Sequence, residues 1–247
     1  MRRRTGLVPA SGGPVLGDIP LQSQVLEDLK DAVNYRSWQA DLALPYLGDD
    51  ALEIGSGTGD FAATVAEKGR PITASEAEPA RLVGLRSRFA DDPLVGVRQL
   101  AAPITETAQH TAVVAFNVLE HIPDHVAALR SFAGLLRPGG RVVIFVPAFQ
   151  IAMSRFDIRI GHQRRYTKDS LGSAMSSAGL QVTTSHYVNA IGLPTWILGM
   201  RLLRMAPRSG PILTAWDRYV MPPMQRLESR RPPAFGQSVF AVAQKQQ

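Results

Sequence analysis

Cysteine is absent from the 247 residues. That excludes disulfides and thiolate chemistry and makes a cytoplasmic location the default expectation. The five histidines are scattered without ligand spacing, which argues against structural zinc, and no metal is expected. No apolar run reaches the roughly 18 residues that a bilayer span needs. Met1-Arg2-Arg3-Arg4 is basic, but Leu7-Val8-Pro9-Ala10 is too short for the apolar part of a secretion signal. Acids are outnumbered, with 27 Lys and Arg against 21 Asp and Glu, giving a net charge of +6 and a pI near 10.0. Such a balance suits an acidic substrate, an anionic membrane surface or RNA, and equally plain solubility charge. A hydrophobic content of 45% supplies a core, and the length fits one domain.

The most informative segment is Ala51-Leu52-Glu53-Ile54-Gly55-Ser56-Gly57-Thr58-Gly59-Asp60. Residues suited to a buried strand run into three alternating glycines. Asp60 is placed to cap the amphipathic stretch Phe61 to Lys68, which Gly69 ends. This reads as strand, tight loop and helix, the nucleotide-binding corner of a doubly wound α/β sheet. The spacing G-x-G-x-G differs from the dinucleotide pattern G-x-G-x-x-G/A, and Asp60 stands where a pyrophosphate would be repelled. No Lys-Ser/Thr pair follows, so a Walker loop is excluded. A second acid, Glu76, ends the short strand Ile72 to Ser75 about 20 residues beyond the loop, placed to accept two ribose hydroxyls. Pro79 then opens a helix. Glu78, in the turn, ranks second.

The centre of the chain alternates. Strands are expected at 51–54, 72–75, 95–100, 112–116 and 141–147, and helices at 60–68, 79–90 and 124–136, which argues for a parallel sheet with right-handed crossovers. Pro138-Gly139-Gly140 marks a sharp helix-to-strand turn. Upstream, Leu21 to Leu47 reads as a helix broken by Pro45, with Asn34, Tyr35 and Trp38 placed either as packing or as a lid. Downstream, Thr167 to Gly179 reads as a helix, and Gln181 to Val188 and Ser238 to Ala243 as strands. Residues 1–20 are expected to be a flexible tail. Residues 21–247 are expected to be one domain, with a proline-rich insertion at about 190–236.

Glu53 to Gly59, the Glu76 corner, Asn117-Val118-Leu119-Glu120-His121-Ile122 and Leu136-Arg137-Pro138-Gly139-Gly140 together resemble class I methyltransferases dependent on S-adenosylmethionine (SAM). That cofactor has no phosphate and carries two cationic groups, so acids are welcome beside it. The resemblance spans about residues 34–189. It implies a Rossmann-like α/β fold whose seven-stranded sheet has the order 3-2-1-4-5-7-6, with the last strand antiparallel, helices on both faces and an N-terminal helical lid. Glu53, Gly55, Ser56, Gly57, Gly59, Glu76, Ala77, Asn117 and Tyr35 are the residues expected to bind SAM. Gly161 to Tyr166, Asn189 to Gly192 and Pro233 to Ser238 are similar to a bacterial subgroup associated with glycan, glycolipid or natural-product pathways. Two departures stand out. No acid follows the third strand, where Leu100 leads to Ala101-Ala102-Pro103, and His110-Thr111 replaces the usual aspartate before the fourth.

Methyl transfer is an in-line displacement, so the catalyst mainly aligns its reactants. A hydroxyl acceptor also needs its proton removed, and histidine suits that task. His162 and His121 are the two candidate bases. Arg164 and Arg165 are candidates for a substrate carboxylate or phosphate, or for salt bridges to Asp157 or Asp169. Tyr166, Trp196 and Phe149 are further acceptor-lining candidates. Ile191 to Met205 is apolar with arginines between. It is read as a helix on the core or on a partner subunit, as an acceptor lid, or as a helix lying peripherally on an anionic membrane.

The leading function is methyl transfer to a small-molecule, glycan or lipid-linked acceptor at a hydroxyl oxygen. An RNA or protein methyltransferase is an alternative, but no appended RNA-binding module and nothing suggesting DNA is present. A SAM-binding protein that transfers no methyl group is a third reading.

Overall fold

The computed structural model describes residues 17–101, 104–107, 109–202 and 209–246. Expectations placed on residues 1–16, on Ala102 and Pro103, and on Leu203 to Met205 lie outside the described residues.

Seven strands form one sheet: β1 (Ala51–Ile54), β2 (Ile72–Glu76), β3 (Val95–Gln99), β4 (His110–Phe116), β5 (Leu136–Pro147), β6 (Leu180–Val188) and β7 (Ser238–Lys245). Their order is 3-2-1-4-5-7-6. Strand β7 runs antiparallel to both neighbours, and the other pairs are parallel. The described helices are α1 (Ile19–Asp28), α2 (Val33–Leu47), α3 (Asp60–Glu67), α4 (Pro79–Arg88), α5 (His125–Gly134), α6 (Arg155–Arg159), α7 (Lys168–Ser177), α8 (Gly192–Trp196), α9 (Pro211–Tyr219) and α10 (Met221–Arg230).

The central strands are apolar on both faces because helices cover both. Ala112 to Ala115 and Val142 to Val146 are fully buried. One face packs against Leu129 and Phe132 of α5 and Leu171 and Met175 of α7. The other packs against Trp38 of α2, Phe61 and Val65 of α3 and Leu85 of α4. Each such buried side chain contributes about 1.5–3 kcal/mol.

Three boundaries differ from the sequence expectation. The Leu21–Leu47 helix is two helices, and the break falls at residues 29–32, not at Pro45. Pro45 sits in the last turn of α2, where a missing N–H costs little helix beyond it. The break is held by the Arg36 guanidinium, which donates to the Lys30 and Leu29 carbonyls. Asp60 does not cap α3: Gly59 does, in a left-handed conformation at φ 84°. Strand β5 begins at Leu136, which pairs with His110 before Arg141 resumes register opposite Ala112. The Pro138-Gly139-Gly140 turn is therefore a bulge inside the strand, with Gly139 at φ 75°.

Between β6 and β7 the chain forms α8, a π-helical turn at Ile197–Leu202, α9 and α10. Two buried acids fasten this segment. Asp217 of α9 accepts the backbone N–H of Asn34 at 2.8 Å and of Tyr35 at 2.9 Å, which caps α2 from a distant part of the chain. Ala32, at the cap position itself, has no capping side chain. Glu228 of α10 accepts the N–H groups of Asn189 and Ala190, both at 2.8 Å. Among the described residues no helix is long and apolar enough to cross a membrane.

Asp217→Ala would orphan two part-buried donors at once. It should lower stability by about 2 kcal/mol in urea unfolding. A change under about 0.5 kcal/mol would show that α2 needs no such cap.

Candidate active site at the carboxyl end of the sheet

Strand β1 ends in a loop that only glycine builds easily. Gly55, Gly57 and Gly59 all have positive φ, at 72°, 58° and 84°. Space is tight as well as angle: a Cβ on Gly57 would lie 2.9 Å from Leu26 Cδ1 of α1. Helix α3 begins its first turn directly after the loop, at Asp60. Asp60 stands in that first turn, bonded by Thr58 Oγ1 at 2.7 Å and Arg88 Nη1 at 2.8 Å.

Two acids flank the loop, and their surroundings differ. Glu76 is buried but well supplied with donors. Its carboxylate accepts the N–H of Gly57 at 2.9 Å, of Ala77 at 2.9 Å and of Glu78 at 3.0 Å, with Arg81 Nη2 at 3.3 Å. Glu78 is a helix cap, accepting the Arg81 N–H at 2.7 Å, which explains why two acids stand so close together. Ser56 ties the loop to β2, its Oγ accepting the Ser75 N–H at 2.9 Å. Glu53 has no such supply. It is 4% exposed, and its Oε2 has no hydrogen-bond partner. Burial pushes its carboxyl up to about 8, against the pull of the Ser56 hydrogen bond. An unsatisfied buried acid at the mouth of a glycine loop fits a cationic ligand group, as SAM provides.

Helix α1 covers this corner. Leu26 faces Gly57, Ser23 Oγ is 3.5 Å from Arg81 Nη1, and Gln22 Nε2 donates to the Ile160 carbonyl at 2.7 Å. The helix over this corner is thus α1, while Asn34 and Tyr35 are engaged with Asp217. Tyr35 is partly buried against Trp38 and Phe145, and burial of its hydroxyl raises it to about 12, opposed by bonds to Ser238, Asn189 and Gln39. These contacts give Tyr35, on α2, a packing place.

Strand β4 delivers the opposite wall. Asn117 follows it at φ 54°, its N–H donating to the Phe145 carbonyl at 2.8 Å. The next turn, Leu119–His121, buries Glu120 completely, and neither of its carboxylate oxygens has a hydrogen-bond partner. The loop carrying α6 brings His162 against it. His162 Nε2 lies 3.8 Å from Glu120 Oε1, and its Nδ1 lies 2.9 Å from Asp157 Oδ1. The His121 and His162 rings stand edge to face, 4.7 Å apart. Burial lifts Glu120 to about 7, opposed by His162. Burial, with His162 and Arg81, pushes His121 down to about 3. Burial would raise Asp157, but His162, Arg165 and Ser154 outweigh it and hold its carboxyl at about 2.

The expected acceptor-binding side chains mostly hold this loop in place. Arg165 is 6% exposed, pairs with Asp157 at 2.7 Å and stacks over Trp196, its guanidinium 4.8 Å from the ring centroid. Arg164 donates to the carbonyls of Ile122 and Pro123. The Tyr166 hydroxyl, buried, is 2.8 Å from His125 Nδ1. Trp196 Nε1 donates to the Ala152 carbonyl at 3.1 Å, and Phe149 stacks on Tyr187 at 4.8 Å. Arg164, Arg165 and Tyr166 thus all make internal bonds. Glu120, Asp157 and Arg81 were not in the expected site. Glu120 had one local signal, its place beside His121 after a buried strand.

Glu53 binds its proton more tightly in the folded state than its ordinary 4.5 implies, so the unliganded fold loses stability as pH rises from about 4.5 to 8. Glu120, also raised, acts in the same direction. Glu53→Gln, always neutral, should shrink the drop in melting temperature between pH 6 and 8. An undiminished drop would assign the effect elsewhere.

A family model described as a methyltransferase domain matches residues 21–185. A ubiquinone biosynthesis O-methyltransferase of Xanthomonas oryzae pv. oryzae (strain PXO99A) is 36% identical over 118 residues, which are 45% of this chain and 47% of that protein. The corresponding enzyme of Xylella fastidiosa (strain 9a5c) is 31% identical over 123 residues, 47% of this chain and 48% of its own. These matches thus span about half the length of the curated relatives. Among solved structures, a geranyl diphosphate methyltransferase in complex with SAM superposes with a TM-score of 0.59 at 18% identity, covering 85% of each chain. The [4+2]-cyclase SpnF superposes at 0.58 and 19% identity, covering 85% of this chain and 81% of its own. Family match and sheet order agree: the chain belongs to the methyltransferase-domain family and has the class I, SAM-dependent methyltransferase fold.

Proposed function

We propose that this chain methylates a hydroxyl oxygen of a small-molecule acceptor, glycan and lipid-linked alcohols included, with SAM as donor. The observation that carries this reading is the juxtaposition of two sites. The glycine loop with Glu53 and Glu76 lies on one side, and the Glu120–His121–His162 cluster on the other, with Arg81 paired to Glu76 and acting on His121. When bound, SAM supplies an electrophilic methyl group on a sulfonium. Glu76 would take the ribose hydroxyls and Glu53 the ammonium end, with Asn117 shaping the wall between them. The acceptor proton is displaced at the histidine cluster. His121 by itself is a poor proton acceptor, because burial holds it at about 3.

Two findings support oxygen and a partly apolar acceptor. The relatives named above are called O-methyltransferases. A cavity of about 700 Å³ opens beyond β6, lined by Ile191, Val220, Met224 and Leu227 among others. It lies at the end of the sheet where β4 and β5 also deliver their functional turns.

Glu76→Ala should weaken SAM binding by about tenfold or more in calorimetry, with the fold checked by circular dichroism. Unchanged affinity would remove the ribose role. For the acceptor, labelled methyl from SAM is followed into fractions of host extract. Label in the small-metabolite, glycan or lipid fraction is expected. Label confined to RNA or protein would overturn the acceptor class, and no label despite intact SAM binding would favour a non-transferring SAM protein.

A further inference from the structure

We propose that Glu120, His121 and His162 form a site for one divalent transition-metal cation, of the zinc, manganese or cobalt kind. Each offers a ligand atom, and the three atoms lie within 4.8 Å of one another.

The strongest observation is Glu120. Its side chain is fully buried, yet both carboxylate oxygens lack a hydrogen-bond partner. A buried carboxylate without donors is costly, and a cation is the compensation that the surrounding groups are arranged to hold. His162 Nε2 faces Glu120 Oε1 at 3.8 Å. Two ligands on a tetrahedral metal at about 2.0–2.1 Å lie roughly 3.4 Å apart, so this pair needs only a small inward shift. The third ligand is His121. Its Nδ1 is buried without a hydrogen-bond partner, while the ring is held by backbone bonding to Ile160 and Gly161.

The outer partners fit too. Metal-bound histidines commonly turn their second nitrogen to a carboxylate, which fixes the ring and raises ligand basicity. Here His162 Nδ1 lies 2.9 Å from Asp157 Oδ1. Asp157 is itself anchored by Ser154 Oγ at 2.6 Å and Arg165 Nη2 at 2.7 Å. The two nearby arginines make their ion pairs elsewhere, Arg165 with Asp157 and Arg81 with Glu76, and the pull of His162 and Arg165 on Glu120 does not outweigh its burial. Two imidazoles with one carboxylate suit a borderline cation rather than calcium or magnesium, which prefer oxygen alone. Three protein ligands also leave a position open for a substrate oxygen.

The catalytic part of this inference rests on the proposed hydroxyl methylation. An acceptor hydroxyl at the open position would lose its proton to water more readily. Its oxygen pair then forms the O–CH₃ bond as the S–CH₃ bond breaks, leaving a neutral thioether.

The test is binding to the full chain, without SAM or acceptor, so that its failure leaves the methyl-transfer reading untouched. Chelator-stripped protein is titrated with Co²⁺, read by visible absorption, and then with competing Zn²⁺, with the metal counted by elemental analysis. One ion per chain is expected. Glu120→Gln and His162→Gln should each weaken Co²⁺ binding by about a hundredfold, and Asp157→Asn by about 10–100-fold. His186→Gln, outside the cluster, should bind as the unaltered chain does. No stoichiometric binding by the unaltered chain would overturn the site. So would unchanged Co²⁺ affinity in folded Glu120→Gln.

Discussion

A carboxylate removed from water needs donors, a cation or a proton. Six acids are buried among the described residues: Glu53, Glu76, Glu120, Asp157, Asp217 and Glu228. Four of them are richly bonded, and each of these holds backbone together. Glu76 joins the glycine loop to β2, Asp157 fixes the loop that carries His162, Asp217 caps α2, and Glu228 pins the chain leaving β6. Glu53 and Glu120 are the two that keep carboxylate oxygens without a hydrogen-bond partner, and both stand at the carboxyl ends of central strands. The distribution separates scaffold from function. Acids satisfied internally position the chain, and acids left short of partners mark where a ligand completes the electrostatics.

The same accounting explains α1 and the insertion. Helix α1 has no buried residue of its own, so it is held by what it touches: Gly57, Arg81 and the Ile160 carbonyl. An element with so few buried contacts opens locally at little cost. Helices α9 and α10 show the opposite economy. Each inserts one buried acid into the main body, so the chain between β6 and β7 packs as part of the fold.

Much of the fold was legible because its signals are local. The Ala51–Ile54 strand, the three glycines with positive φ, Pro79 opening α4 and the capping box at Thr167 and Ser170 are each decided within a few residues. The errors fell where a distant contact outweighed a local preference. Gly59, not Asp60, ends up as the cap, since Asp60 is taken by Arg88, 28 residues away. The end of the α5 region was misplaced because Leu136 finds a strand partner in His110. The Leu21–Leu47 helix splits at residues 29–32, where Asp217 supplies the cap that the local sequence lacks.

Sequence by itself determined the sheet order, through the resemblance, and the glycine–acid corner, because chain chirality and glycine's backbone freedom act over short distances. Tertiary structure alone decided which charged side chains are spent and which remain. Arg165 and Asp157 are eight residues apart and satisfy each other in the interior. Glu120 and His162 meet at 3.8 Å from separate loops. Spacing along the chain carries no record of that meeting. It is set by how β4 and β5 stand side by side in the sheet, and by the burial that makes each unpaired charge count.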